Sequence, residues 1–256
     1  IELEENVPRV TSAELQKING VVSSFSGSYV NNATGRVNNM KIATNSVNGT
    51  LLMPGEEFSY NKAIGKTTPE NGYQQAGAYV AGEVVQEYGG GVCNISTILY
   101  RAAMRANLKS SLRYNHSMMV SYAEPSLDAT VYEGEIDYRF VNTYDFPIYI
   151  EGYMTSNTIV FNIYGNKESF GNNTYELVNE VIEKLDYTTE YVNDNTLAEG
   201  SRVTTVNGMA GYRSKAYLVT YSNGVEVSRE FISSDYYAPM NTVVKVGTKK
   251  ATTTEN

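Results

Sequence analysis

The stretch Gly89-Gly90-Gly91-Val92-Cys93-Asn94-Ile95-Ser96-Thr97-Ile98-Leu99-Tyr100-Arg101-Ala102-Ala103-Met104-Arg105-Ala106 decides how this chain is read. Three glycines mark a tight turn. Apolar residues then recur at Ile95, Ile98, Leu99, Ala102, Ala103 and Ala106, with the three-and-four spacing of a buried helix face. Arg101 and Arg105 share a different face and suit the C-terminal end of a helix dipole. The pattern predicts a helix over about 94–107. Cys93, the only cysteine, falls where the loop becomes that helix, and there the unpaired amides and the dipole favour a thiolate.

The only histidine, His116, stands in Arg113-Tyr114-Asn115-His116-Ser117, one helix and one turn downstream. Contact with Cys93 is therefore easy to arrange. A thiol, an imidazole that titrates near neutrality and amides aimed at a developing oxyanion are the parts of a nucleophilic acyl-transfer site. Asp128, in Leu127-Asp128-Ala129-Thr130, is the candidate to orient His116, with Tyr122 and Ser117 as rivals. Amides between Gly91 and Asn94 are candidates for the oxyanion hole, and Gly90, Gly91, Val92, Asn94, Ser96 and Tyr122 for the wider substrate site. Other readings stay open on residues alone. A lone cysteine is more often a small buried hydrophobe, and a glycine run can be a plain turn. The run lacks the Lys-Ser/Thr of a phosphate loop and the spacing of a dinucleotide fingerprint. One Cys and one His are too few for structural zinc, so no metal and no cofactor are expected.

Composition narrows the setting. The 256 residues carry a net charge of -8, with an apolar fraction of 41 % and a charged fraction of 19 %. That is enough apolar material for a core and argues against nucleic acid or an anionic membrane surface as partner. The 22 Tyr, 7 Phe and absence of Trp, with many short alternating runs, suit a β-rich extracellular protein. No segment approaches the roughly 20 apolar residues of a membrane span. Residues 1–9 lack the shape of a signal peptide, so an export signal or membrane anchor is expected upstream.

Along the chain, Leu15, Ile18, Val21, Val22 and Phe25 predict a helix over 11–26, capped by Thr11 or Ser12. A second helix is expected over 36–47, ended by Asn48-Gly49. A short strand at 51–56, an irregular loop over 61–79 and a strand at 81–88 follow. Period-two runs predict strands at 117–122, 129–132, 135–142, 147–154 and 158–164. The expected organisation is a domain over 1–165 with an N-terminal helical segment, a linker over 166–173, a small β module over 174–248 with a hairpin at Ser222-Asn223-Gly224, and a disordered tail over 249–256. The fold class is α+β, an N-terminal domain with few helices and mostly antiparallel sheet, followed by a small all-β domain.

Residues 34–165 resemble the VanW-like domain. The resemblance lies in Leu52-Met53-Pro54-Gly55-Glu56-Glu57-Phe58-Ser59-Tyr60-Asn61, in Gly72-Tyr73, in Gly89 to Tyr100, in His116-Ser117, in Asp128-Ala129-Thr130 and in Asp137 to Asn142. Asn94 departs from the family's usual Gln after the cysteine. The C-terminal module is similar to the five-glycine domain of cell-wall proteins, with Gly200, Gly208, Gly211, Gly224 and Gly247 as counterparts of its glycines. The resemblance implies a cysteine L,D-transpeptidase that forms 3-3 crosslinks between peptidoglycan stem peptides through a thioester, with Cys93 as nucleophile and His116 as its partner. It implies stem peptides and glycan strands as partners and a place in the envelope of a Gram-positive-type bacterium. The alternative is a non-catalytic protein linked to glycopeptide resistance that binds wall glycan or stem peptide.

Overall fold

The structure, a computed structural model, describes residues 9–30, 33–80 and 83–250. Most of the expected tail, residues 251–256, lies outside them. The chain begins with one helical turn, α1 (Ser12–Leu15), closed by a capping box in which Thr11 N donates to Glu14 Oε2 at 2.8 Å and Glu14 N to Thr11 Oγ1 at 3.2 Å. The helix expected over 11–26 goes no further, because β1 (Gly20–Ser28) follows. Val21-Val22-Ser23-Ser24 is β-branched and serine-rich, a poor helix former. A bulge between Val21 and Ser23 breaks the period of two, which is why the spacing imitates a helix.

The next elements are α2 (Thr34–Val47), β2 (Thr50–Leu52), β3 (Glu57–Ser59), α3 (Tyr60–Ile64), β4 (Gln75–Val80) and β5 (Glu83–Tyr88). The 61–79 segment is thus more regular than expected: it holds most of α3 and the first five residues of β4. Then come α4 (Val92–Arg105), β6 (Ser110–Leu112), β7 (Arg139–Val141), β8 (Ile148–Met154) and β9 (Thr158–Gly165). They form antiparallel sheets in the orders β1-β9-β8-β2 and β3-β7-β6, and a β4-β5 hairpin. Of the strands expected at 117–122, 129–132 and 135–142, the first is a loop and the second makes only single bridges, Tyr114↔Thr130 and Tyr132↔Ile136. The third shrinks to β7.

Residues 166–173 carry a 3-10 turn, Lys167–Phe170, whose Phe170 is buried against Tyr144 and Tyr175. Beyond it, β10 (Asn173–Leu185), β13 (Gly211–Ser222) and β14 (Val225–Tyr237) form one antiparallel sheet, with the β13–β14 hairpin turning at Asn223-Gly224. The intervening β11 (Thr189–Ala198) and β12 (Arg202–Val206) flank β15 (Thr242–Lys249) in a second sheet, where β11 runs parallel to β15. Two domains, α+β then all-β, are the result. Leu177, Ala216 and Leu218 of the second join the same apolar core as α4.

The chain closes round α4. Ile95, Leu99, Ala102, Ala103 and Ala106 have no exposure, as the apolar spacing predicts, but Ser96, Thr97 and Tyr100 on the far side are buried too. Ser96 Oγ donates to Ala129 O at 2.6 Å, and Ala129 N donates to Thr97 Oγ1 at 3.1 Å, so the 128–131 segment is tied along the helix. The residues of the Pro54-to-Asn61 motif serve scaffolding. Asp137 accepts from Ser59 Oγ (2.7 Å) and Asn61 N (2.9 Å), and Tyr60 Oη donates to Val92 O at 2.9 Å.

Gly91 caps α4 with φ +112°, and a Cβ there would meet Arg36 Cγ at 2.9 Å and Met40 Cγ at 3.1 Å. Both the left-handed backbone and the packing of α2 against the turn demand glycine. Gly91→Ala is expected to lower unfolding free energy by roughly 1–3 kcal/mol in denaturant titrations. Gly55→Ala is the control, since Gly55 has φ +80° but open space around it. A smaller loss for Gly91→Ala than for Gly55→Ala would contradict this account.

Candidate active site

Cys93, second residue of α4, is half-buried on the wall of a cavity of about 430 Å³. His116, Tyr122, Thr130, Gly91 and Arg36 line the same cavity. The Cys93 sulphur lies 3.3 Å from Val131 O and 3.8 Å from Thr130 Oγ1. The carbonyl contact suits the thiol, whereas the Thr130 hydroxyl can donate to a thiolate.

The His116 ring is held on both nitrogens. Nδ1 lies 2.6 Å from Asp128 Oδ2, and Nε2 lies 3.1 Å from Tyr122 Oη. Tyr122 also stands edge-on to the ring, at 6.0 Å and 80°. Asp128 Oδ2 accepts the backbone N–H of His116 as well, at 2.8 Å, which fixes the residue and its ring with one oxygen. Ser117, the other rival for the orienting place, is exposed, and its carbonyl accepts from Ala238 N.

The electrostatics follow from these contacts. Burial favours the neutral imidazole, but the hydrogen bond to Asp128 and the contact with Cys93 outweigh it and raise the His116 pKa from 6.5 to about 9. Burial works against the Cys93 thiolate. The hydrogen bond and positive charge of His116 outweigh that in turn, and the thiol pKa falls below its ordinary 9.0. Burial also opposes the Asp128 carboxylate. The His116 hydrogen bond and the Arg113 charge keep it ionised, below 3.8. The two shifts act in the same sense: the charged form of each group favours the charged form of the other.

The other sequence candidates fall into two groups. Gly90 N, Val92 N and Asn94 N donate to Glu87 O (3.3 Å), Gly89 O (3.1 Å) and Gly91 O (3.1 Å). The Ser96 hydroxyl is buried and bonded to Cys93 O and Ala129 O. Among the described residues no acceptor meets the amides of Gly91 and Cys93, which leaves these two for a substrate oxyanion. Asn94 is buried and lines a second cavity of about 930 Å³, which shares Arg36, Gly77 and Tyr122 with the first. Sequence reasoning missed Thr130 and Arg36, which lack any local pattern, and Arg113, three residues before His116. Among the described residues no group of three or more His, Cys, Asp or Glu is placed to hold a metal ion. None of their helices is long and apolar enough to cross a membrane.

Residues 35–164 match the family described as VanW like protein, and residues 176–249 match the G5 domain. YoaR of Bacillus subtilis is 32 % identical over 160 residues, which is 62 % of this chain and 53 % of YoaR. The vancomycin B-type resistance protein VanW of Enterococcus faecalis is 27 % identical over 139 residues, 52 % of this chain and 50 % of VanW. The chain spans about half the length of these curated relatives. Of solved structures, the IgA1 protease G5 domain is 31 % identical with a TM-score of 0.22, covering 32 % of this chain and 99 % of that domain. HP0197-G5 is 20 % identical with a TM-score of 0.18, covering 29 % and 95 %.

The coupled ionisation has a direct readout. The rate of Cys93 alkylation by iodoacetamide should rise with a midpoint below the ordinary thiol value of 9.0. His116→Ala should move that midpoint upward by at least one unit, since burial then acts unopposed, and slow alkylation at pH 7 by about tenfold. An unchanged midpoint in His116→Ala would show that the two groups are not coupled.

Proposed function

This chain belongs to the VanW-like family, and we propose that it is a cysteine L,D-transpeptidase that joins peptidoglycan stem peptides by 3-3 crosslinks. The observation that carries the proposal is Cys93 and His116 on one cavity wall with Asp128 buried behind the ring, the thiol depressed and the imidazole raised in proton affinity by each other. That combination is what nucleophilic acyl transfer requires. Its place within a family motif that also spans the scaffold of the cavity adds support.

The Cys93 thiolate attacks the carbonyl carbon of the third residue of a donor tetrapeptide stem. The oxyanion that forms takes hydrogen bonds from the amides of Gly91 and Cys93, at the dipole-positive end of α4. The carbon–nitrogen bond to the terminal D-Ala then breaks, and the leaving amine takes its proton from His116 Nε2. A thioester remains on Cys93. The side-chain amine of an acceptor stem attacks it and gives a proton to the now neutral His116, and the thiolate departs as the new amide forms. Asp128 holds the ring through Nδ1–H in both halves and keeps the imidazolium paired. No metal or cofactor takes part in these steps.

The exposed rings of Tyr88 and Tyr132 at the cavity rim suit contact with the substrate's sugar or peptide. The G5 domain fits glycan strands as a partner, and the net charge of -8 disfavours nucleic acid. These features and the VanW relative together support a place outside the cytoplasm, in the envelope of a Gram-positive-type bacterium.

The test is incubation with disaccharide-tetrapeptides followed by mass spectrometry. Crosslinked dimers with loss of D-Ala are expected, absent in Cys93→Ala and reduced at least 100-fold in His116→Ala. Tripeptide alone would identify a carboxypeptidase that uses water as acceptor. Full activity in Cys93→Ala would overturn the role of the thiol, and substrate binding without turnover in the native protein would overturn the proposal and leave a binding protein.

A further inference from the structure

The carboxylate that holds His116 is itself held by the second domain. Asp128 Oδ1 accepts from the Tyr237 hydroxyl and from Arg113 Nη2 at 3.0 Å. Tyr237 is the last residue of β14, has no exposure, and its oxygen also accepts from Ser126 N at 2.7 Å. Arg113 is buried, with 6 % of its side chain exposed. Its Nε donates to Asp128 O at 2.7 Å and its Nη1 to Asp235 Oδ2, also at 2.7 Å. Asp235 is the third last residue of β14, and its carboxylate is steadied by the Ser233 hydroxyl at 2.9 Å. The backbone joins in: Asn115 Nδ2 donates to Tyr236 O and Ala238 N donates to Ser117 O, each at 2.8 Å. The loop bearing His116 is thus tied on both sides of the histidine to the end of β14.

We propose that the C-terminal G5 domain is a working part of the active site, in which Tyr237 and Asp235 are positioning residues that hold Asp128 directly and through Arg113. The inference rests on the reading of Cys93, His116 and Asp128 as the reacting constellation. A module that served only to bind glycan would need no buried side chain reaching the residue behind the imidazole. Each contact has a distinct consequence. The Tyr237 hydroxyl supplies Oδ1 with a donor that stays protonated, because burial and the Asp128 charge push its pKa far above 10. Arg113 supplies the countercharge, and Asp235 keeps the guanidinium from being drawn wholly onto Asp128. With Oδ1 committed to these donors, Oδ2 is left for the ring and backbone of His116.

The groups that face Asp128 are Arg113 and His116 from its own flank, Tyr237 and, through Arg113, Asp235 from β14, and Tyr100 from α4, whose ring lies 5.4 Å from the Arg113 guanidinium. The two donors to Oδ1 stabilise the ionised carboxylate, so removing one raises the pH at which Asp128 takes up a proton. His116 is the only histidine, so its ring resonances are unambiguous reporters of that step.

The experiment uses the full chain labelled at histidine. In an NMR titration, the His116 signals should show the Asp128 step below pH 3.8 in the native protein. Tyr237→Phe should move it upward by at least half a unit, and Arg113→Lys should move it the same way. Tyr217→Phe, which removes an exposed hydroxyl bonded to Glu180 in the same sheet, should leave it in place. On tetrapeptide substrate, Tyr237→Phe should reduce kcat about tenfold with KM unchanged. An Asp128 step at native pH in both Tyr237→Phe and Arg113→Lys overturns the inference. Because the titration needs no substrate, it stands or falls separately from transpeptidation: a native chain that makes no crosslinks, yet shows the shifts, keeps the coupling and rejects the activity.

Discussion

A carboxylate with 1 % of its side chain exposed organises this molecule. Asp128 is ionised inside the protein, and a buried charge is tolerated only when paired and fully hydrogen-bonded. Four donors meet its two oxygens: the ring and the backbone amide of His116 on one, Arg113 and Tyr237 on the other. They come from the loop after β6 and from the far end of β14. Arg113 brings a second buried charge that needs its own partner, which Asp235 provides. Removing one member of such a cluster strands another, a loss of about 3–5 kcal/mol for buried pairs in general. The requirement to satisfy Asp128 therefore binds the two domains and the loop that carries His116 into one unit.

The thiol depends on a different constraint, the start of α4. A helix buried on nearly all sides has to begin where the chain can enter without a side chain, and the glycine run meets that need between α2 and β4. Gly90 lies against the Ala76 carbonyl and Gly91 against Arg36 and Met40. These contacts belong to packing, while the amides of Gly91 and Cys93, two residues that line the cavity, meet no acceptor among the described residues. The same residues thus satisfy a steric demand and expose donors at the dipole-positive end of the helix. Tyr60 fastens this corner from below by bonding Val92 O. Much of the upstream motif is accounted for by polar groups that need specific partners: Leu52 O accepts from the buried Asn142 Nδ2, and the half-buried Glu56 accepts from Met53 N.

Elements whose apolar period follows from local geometry were legible. The core face of α4, the end of α2 at Asn48-Gly49, the strands β8 and β9, and the turn at Asn223-Gly224 all carry strong local signals. The 11–26 segment misled because a bulge shifted the alternation of β1 into a helix-like spacing. The 117–122 segment misled for another reason. Its alternation is real, but Ser117 O accepts from Ala238 N, just beyond β14, rather than from a neighbouring strand. Arg113 could have been noticed as a charged residue close to the only histidine. Tyr237, one among 22 tyrosines and a whole domain away, gave no signal at all.

By itself the sequence determined the two-domain α+β and all-β organisation, the helix behind the glycine run, and the presence of a single thiol and a single imidazole for chemistry. Local physics suffices there: periodicity, capping and glycine content act over a few residues. Only the tertiary structure decided which oxygen meets which ring nitrogen, which amides stay unpaired, and that the second domain reaches behind the histidine. Those outcomes depend on burying charges together across more than a hundred residues, and no short-range pattern encodes them.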